Sequence, residues 1–133
     1  MKITNTTDLD TEQLKAITKL LTKGMTRKLS RVIFRKCKRQ FSGVYKYGWF
    51  TKPTIIVRLG DCTYPFTMNA WHNKYYPRYE IRDKFELAIA ILAHEVYHFK
   101  AHFQKNRRNT QIRAERFAMK TLKQFRKKYL EDN

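Results

Sequence analysis

The chain has no long apolar run. Its longest uncharged apolar stretch, Leu87 to Ala93, is seven residues, far below the ~20 that a membrane-spanning helix needs. The opening stretch MKITNTTDLD lacks the apolar segment of a secretory signal. Cysteine is scarce: Cys37 and Cys62 form no C-x-x-C pair, which argues against a zinc ribbon or a redox pair and for buried thiols. Repeats and low-complexity tracts are also lacking. These absences lead to the expectation of a soluble, cytoplasmic or otherwise intracellular protein without membrane association. Negative charge is scarce as well, with 11 Asp and Glu against 29 Lys and Arg and a net charge of +18. Such an imbalance speaks of partners rather than of fold, and it favours a polyanion such as DNA or RNA.

What is present suffices for one core. At 133 residues, 42% of them apolar, the chain reads as a single domain over 1–133. LDTEQLKAITKLLTKGM reads as a first helix. Asp10 is its N-cap, Gln13 closes a capping box, Leu9 staples onto Leu14, and Gly24 ends it. LSRVIFRKC, GVYKYGWF and TIIVRL are rich in β-branched and aromatic residues, with Gly43 and Pro53 as breaks. They predict a small antiparallel sheet of three strands, with a fourth contributed by the aromatic segment 60–82 as an edge strand plus loop. DKFELAIAILAHEVYHFKAHFQK is apolar around most of its circumference, leaving a wet strip at Glu86, Tyr97, Lys100 and Gln104. A helix of that kind is buried. Asp83 and Glu86 form its capping box. TQIRAERFAMKTLKQFRKKYL is the last helix, so the fold class is α+β.

Three of the four histidines, His94, His98 and His102, recur every fourth residue on the buried helix, and Glu95 follows the first. Residues four apart share one helix face about 6 Å apart, so His94 and His98 can converge on one ion. Glu95 lies about 100° round the helix, where it reaches a water beside that ion rather than the ion itself. This is the H-E-x-x-H arrangement, two ligands and a general base. His102 is about 12 Å along the axis from His94 and does not share an ion with it; its place is an outer hydrogen bond or a substrate contact. The bland alternative, a helix with satisfied core histidines, must bury three ionisable groups without a common partner, which is costly.

A catalytic zinc takes three protein ligands and a water, so one ligand lies elsewhere. On the last helix Glu115 sits in the middle of the apolar stripe formed by Ile112, Ala118, Met119, Leu122, Phe125 and Tyr129. A carboxylate there faces the core and needs a partner, either the metal or a buried cation.

HEVYH on a buried helix, followed by a turn and AERFAMKTL on the next, resembles the gluzincin metallopeptidases. The order of elements is similar to their minimal members and to SprT-like domains. The resemblance implies a zincin-like fold, a Zn²⁺ cofactor, hydrolysis of a peptide or protein substrate, and an edge strand that holds the extended peptide beside the zinc. Glu95 would be the catalytic base, and His94, His98 and Glu115 the metal ligands. Aligned with the family's A-D-R-F-A, however, AERFA puts Gln111 at the ligand position and Glu115 at the Asp position. The two lie one turn apart on one face. An anionic oxygen binds zinc far better than an amide, so Glu115 is the expected ligand and Gln111 its rival. His102, His72, Tyr76 and Tyr79 are the candidates for stabilising the transition state or supporting the site.

Arg113, Arg116, Lys120, Lys123 and Lys127 form one basic ridge on the last helix, away from its apolar stripe and uninterrupted by acid. Lys28, Arg31, Arg35, Lys36, Lys38 and Arg39 form a second cluster on the first predicted strand. Non-specific binding of DNA or RNA phosphates is the expectation for the ridge. The alternative to an enzyme is a basic nucleic-acid-binding or interaction module on a degenerate zincin scaffold.

Overall fold

A computed structural model describes residues 1–25, 29–38, 41–47, 52–69, 74–102 and 110–129. Its elements run β1 (Lys2–Asn5), α1 (Thr11–Thr22), β2 (Arg31–Lys36), β3 (Phe41–Lys46), β4 (Thr54–Leu59), β5 (Phe66–Met68), β6 (Tyr79–Ile81), α2 (Lys84–Ala101) and α3 (Thr110–Tyr129). The protein is α+β, with a four-stranded sheet in the order β1-β2-β4-β3 and a separate β5-β6 pair.

The helix signals act as local chemistry requires. The Asp10 carboxylate accepts from the Gln13 backbone N–H at 2.9 Å, and that of Asp83 accepts from the Glu86 N–H at 2.8 Å. Each satisfies a donor that the first turn leaves open. Gly24 follows α1 with φ of 76°, a conformation that a side chain would disfavour.

The sheet differs from the expected antiparallel one. β1 pairs parallel with β2, β2 pairs parallel with β4, and only β3 runs antiparallel, on β4. β1 was not expected: its four residues, KITN, are too few to carry a period-2 pattern. With α1 it builds a β-α-β crossover into β2. The chain then passes β4's position to lay down β3 at the edge and returns to fill the gap. Gly43, expected as a break, lies inside β3. The aromatic segment gives two short strands, paired Phe66 with Ile81 through Met68 with Tyr79; residues 70–73, His72 among them, lie outside those described.

α2 packs on β3 and β4 on one side and on α3 on another. Val32, Phe34, Ile55 and Val57 meet Leu87, Leu92, Val96 and Phe99 in one fully buried cluster. Among the described residues no helix is long and apolar enough to cross a membrane.

Glu86 corrects the predicted wet strip. It is 2% exposed, because Arg126 of α3 reaches across with Nε at 2.9 Å from Oε2 and Nη2 at 2.6 Å from Oε1. In place of a closed capping box, Oε1 also accepts from the Arg82 N–H at 2.9 Å. Burial alone would raise the Glu86 carboxyl. The Arg126 and Arg82 hydrogen bonds outweigh it and hold the carboxyl below the usual carboxylate range. The pair therefore contributes stability above the ordinary carboxylate pKa and loses it as pH falls through the lowered value. Arg126→Ala strands a buried carboxylate, so urea unfolding at neutral pH should show a loss on the order of 3 kcal/mol, narrowing in acid. A gap that is constant or widens toward acid would contradict this assignment.

Candidate metal centre

α2 and α3 bring the predicted residues together along one seam. His94 and His98 point their Nε2 atoms at each other, 2.9 Å apart. Gln111 Oε1 stands 3.0 Å from His98 Nε2. Glu115, 6% exposed, lies on the opposite side of the His94 ring. Its Oε1 accepts from Nδ1 at 2.6 Å, and its Oε2 accepts from the Tyr79 hydroxyl at 3.2 Å.

The geometry thus differs from the expected ligand set. Two histidines a turn apart converge through Nε2, and the side chain from α3 that meets them there is Gln111. Both oxygens of Glu115 are engaged away from that point. With its Nδ1 engaged by Glu115, His94 turns Nε2 toward His98, the arrangement in which a carboxylate orients a ligating imidazole from behind. His98 is held below the ordinary imidazole value by burial, with the charge of His94 adding to it, so it is neutral near pH 7. Burial, coupled to the nearby Glu115 carboxylate, raises the Tyr79 hydroxyl far above its ordinary value, which keeps it a donor.

Glu95 leaves α2 about 100° round from His94. It is 7% exposed and lines a cleft of about 500 Å³ with His94, Gln111 and Glu115. Burial raises its carboxyl and the charge of His94 offsets part of the rise. Edge strand β3 forms another wall at Phe41, Ser42 and Gly43, and Phe66, Met68 and Asn69 close the cleft. Asn69 Oδ1 is buried with no hydrogen-bond partner among the described residues. Phe41, Ser42, Phe66, Met68 and Asn69 were not singled out in the sequence, although the aromatic density of segment 60–82 fits a segment packed over the core or a groove.

Other candidates fall elsewhere. His102, at the C-cap of α2, packs its ring against Tyr45 and Tyr47 of the β3 segment, with centroids at 6.0 and 5.3 Å. Tyr45 also stacks on His98 at 6.1 Å. Tyr76 lines a different cleft, with Arg116, Lys120, Lys123 and Lys127 of the ridge; Arg113 is exposed outside it. Arg31, Arg35, Lys36 and Lys38 are exposed, while Lys28 and Arg39 lie outside the described residues.

Among the described residues, no group of three or more His, Cys, Asp and Glu is arranged to hold a metal ion. No protein-family model, curated protein or solved structure matches the chain.

Gly43 explains how close the strand and helix come. A Cβ built on it would meet Ile91 Cγ2 at 2.6 Å, Glu95 Cγ at 2.9 Å and Glu95 Oε1 at 3.0 Å. Gly43→Ala should therefore cost about 1–3 kcal/mol in urea unfolding and push the Glu95 side chain aside. Wild-type stability in that variant would mean that β3 does not press on α2.

Proposed function

We propose that this chain is a zinc-dependent metallopeptidase with Glu95 as its general base. One observation carries the reading: two imidazole nitrogens converge at 2.9 Å beside a cleft that holds a buried carboxylate and is walled by the sheet's edge strand. His94 and His98 would hold the ion through their Nε2 atoms, with Gln111 as third donor. Glu115 would orient His94. Two imidazoles and one oxygen suit a borderline cation such as Zn²⁺, although an amide donates less strongly than the carboxylate expected from the sequence.

A zinc ion in that place supplies Lewis acidity, acidifying water and polarising a carbonyl. The remaining work falls to the chain. β3 presents an open edge on which an extended peptide can lie through main-chain hydrogen bonds, and Phe41, Phe66 and Met68 offer it an apolar wall. Glu95, its carboxyl raised by burial, takes the proton of the attacking water and returns it to the departing amine.

Gln111 itself favours a second reading. A site without an anionic ligand binds metal weakly, and a chain that kept the scaffold after losing turnover would look like this. Elemental analysis of the purified chain separates the two. The wild type should carry one zinc. Glu95→Gln should keep it and lose peptidase activity by roughly 10²–10⁴-fold. Gln111→Glu should bind zinc more tightly, and Glu115→Ala should weaken binding by roughly 10–100-fold without abolishing it. A wild type that takes up no zinc even when supplied would sink the metallopeptidase reading.

A further inference from the structure

A second cleft lies apart from the one at the histidines. It measures about 760 Å³, and α3 forms one wall with Arg116, Lys120, Lys123 and Lys127. These four follow one another at four, three and four residues, so they stand about 4.5–6 Å apart along the axis. Among the described residues no carboxylate pairs with any of them, and no acid lines the cleft.

The facing wall is of another kind. Lys74, Tyr75, Tyr76 and Pro77 come from the segment leading into β6. Tyr75 is 64% exposed, and Lys74 Nζ stands 5.1 Å from its ring centroid, a cation over one face of the ring. A purely solvated basic face has no use for an exposed aromatic opposite its charges. A row of phosphates needs the cations alone, whereas a strand with its bases unpaired needs both walls, one for phosphates and one for stacking. Duplex DNA keeps its base faces hidden and would leave Tyr75 idle.

We infer that this cleft binds single-stranded nucleic acid, with phosphates on the α3 cations and a base stacked on Tyr75. The site is separate from the histidine cleft, and its occupancy does not depend on peptidase activity.

The test is fluorescence anisotropy on the whole chain. Three probes are compared: a labelled oligothymidylate of about 12 nucleotides, within the usual span of single-strand sites, the same strand annealed to oligoadenylate, and inorganic polyphosphate as a competitor without bases. The single strand should bind more tightly than the duplex and displace readily only with added salt, its log affinity falling by about 0.7 per phosphate contact per decade of salt. Tyr75→Ala should weaken oligothymidylate roughly 5- to 100-fold and leave polyphosphate competition unchanged, whereas Tyr75→Phe should bind as the wild type. Lys120→Ala with Lys123→Ala should weaken every probe and flatten the salt slope. Equal affinity for duplex and single strand, or an unaffected Tyr75→Ala, would overturn the inference and leave a phosphate-only surface. Binding that ignores salt, or no binding, would overturn it too.

Discussion

Burying a helix that carries charge requires a neighbour that answers each charge, and α3 does this for α2. Glu86 near the start of α2 meets Arg126 near the end of α3, and His94 two turns further on meets Glu115. The helices run antiparallel, so the two pairs pin the same seam at two heights. Along the same stretch of α3 lie Ala114, just before Glu115, and Ala118 and Leu122 between the pairs, all at or near zero exposure. Small side chains at the first two let the backbones approach closely enough for hydrogen bonds to form across the seam. An ion pair in such a place adds little net stability over a well-packed apolar pair, but losing one member leaves a stranded charge. The seam therefore specifies one register of α3 against α2. That register aligns Gln111 and Glu115 with the histidines.

The sheet sets the other side of the site. Three parallel strands alone would end at β4. By running β3 back antiparallel outside β4, the chain puts an open strand edge over α2, and Gly43 lets it settle onto Ile91 and Glu95. The same contact that buries the Glu95 side chain raises its carboxyl. Tyr45, two residues along the strand, stacks on the His98 ring, and partial burial favours its neutral form. Strand geometry and site electrostatics are in this sense one constraint.

Much of this was legible beforehand, for identifiable reasons. Each helix carries a local signal, a cap at α1 and α2 and an apolar stripe on α1 and α3, and these need no knowledge of distant residues. The three longer strands also announced themselves through β-branched and aromatic content. Strand order did not, because pairing depends on which edge a crossover leaves open, and alternation is the same for parallel and antiparallel neighbours. Glu86 read as wet because its partner lies forty residues away. Gly43 read as a break because a glycine needed for close approach looks no different in sequence from one that ends a strand.

The hardest choice, Gln111 against Glu115, turns on depth rather than face. One helical turn separates them, so periodicity treats them alike, and chemistry alone favours the anion as the metal's ligand. In the fold Gln111 is exposed at the rim and Glu115 is buried against Tyr79. A carboxylate buried that deeply does more through the His94 ring than beside it: accepting Nδ1–H makes Nε2 the stronger donor. The same economy runs through the whole chain. Of its few acids, Glu86, Glu95 and Glu115 are buried, each set against a cation, a histidine or a strand backbone. Withdrawing them leaves the surface still more cationic than the composition implies. Arg116, one residue beyond Glu115 and about 100° round the helix, already belongs to the basic cleft, so a single helix supports the histidines on one side and a row of unanswered positive charge on the other.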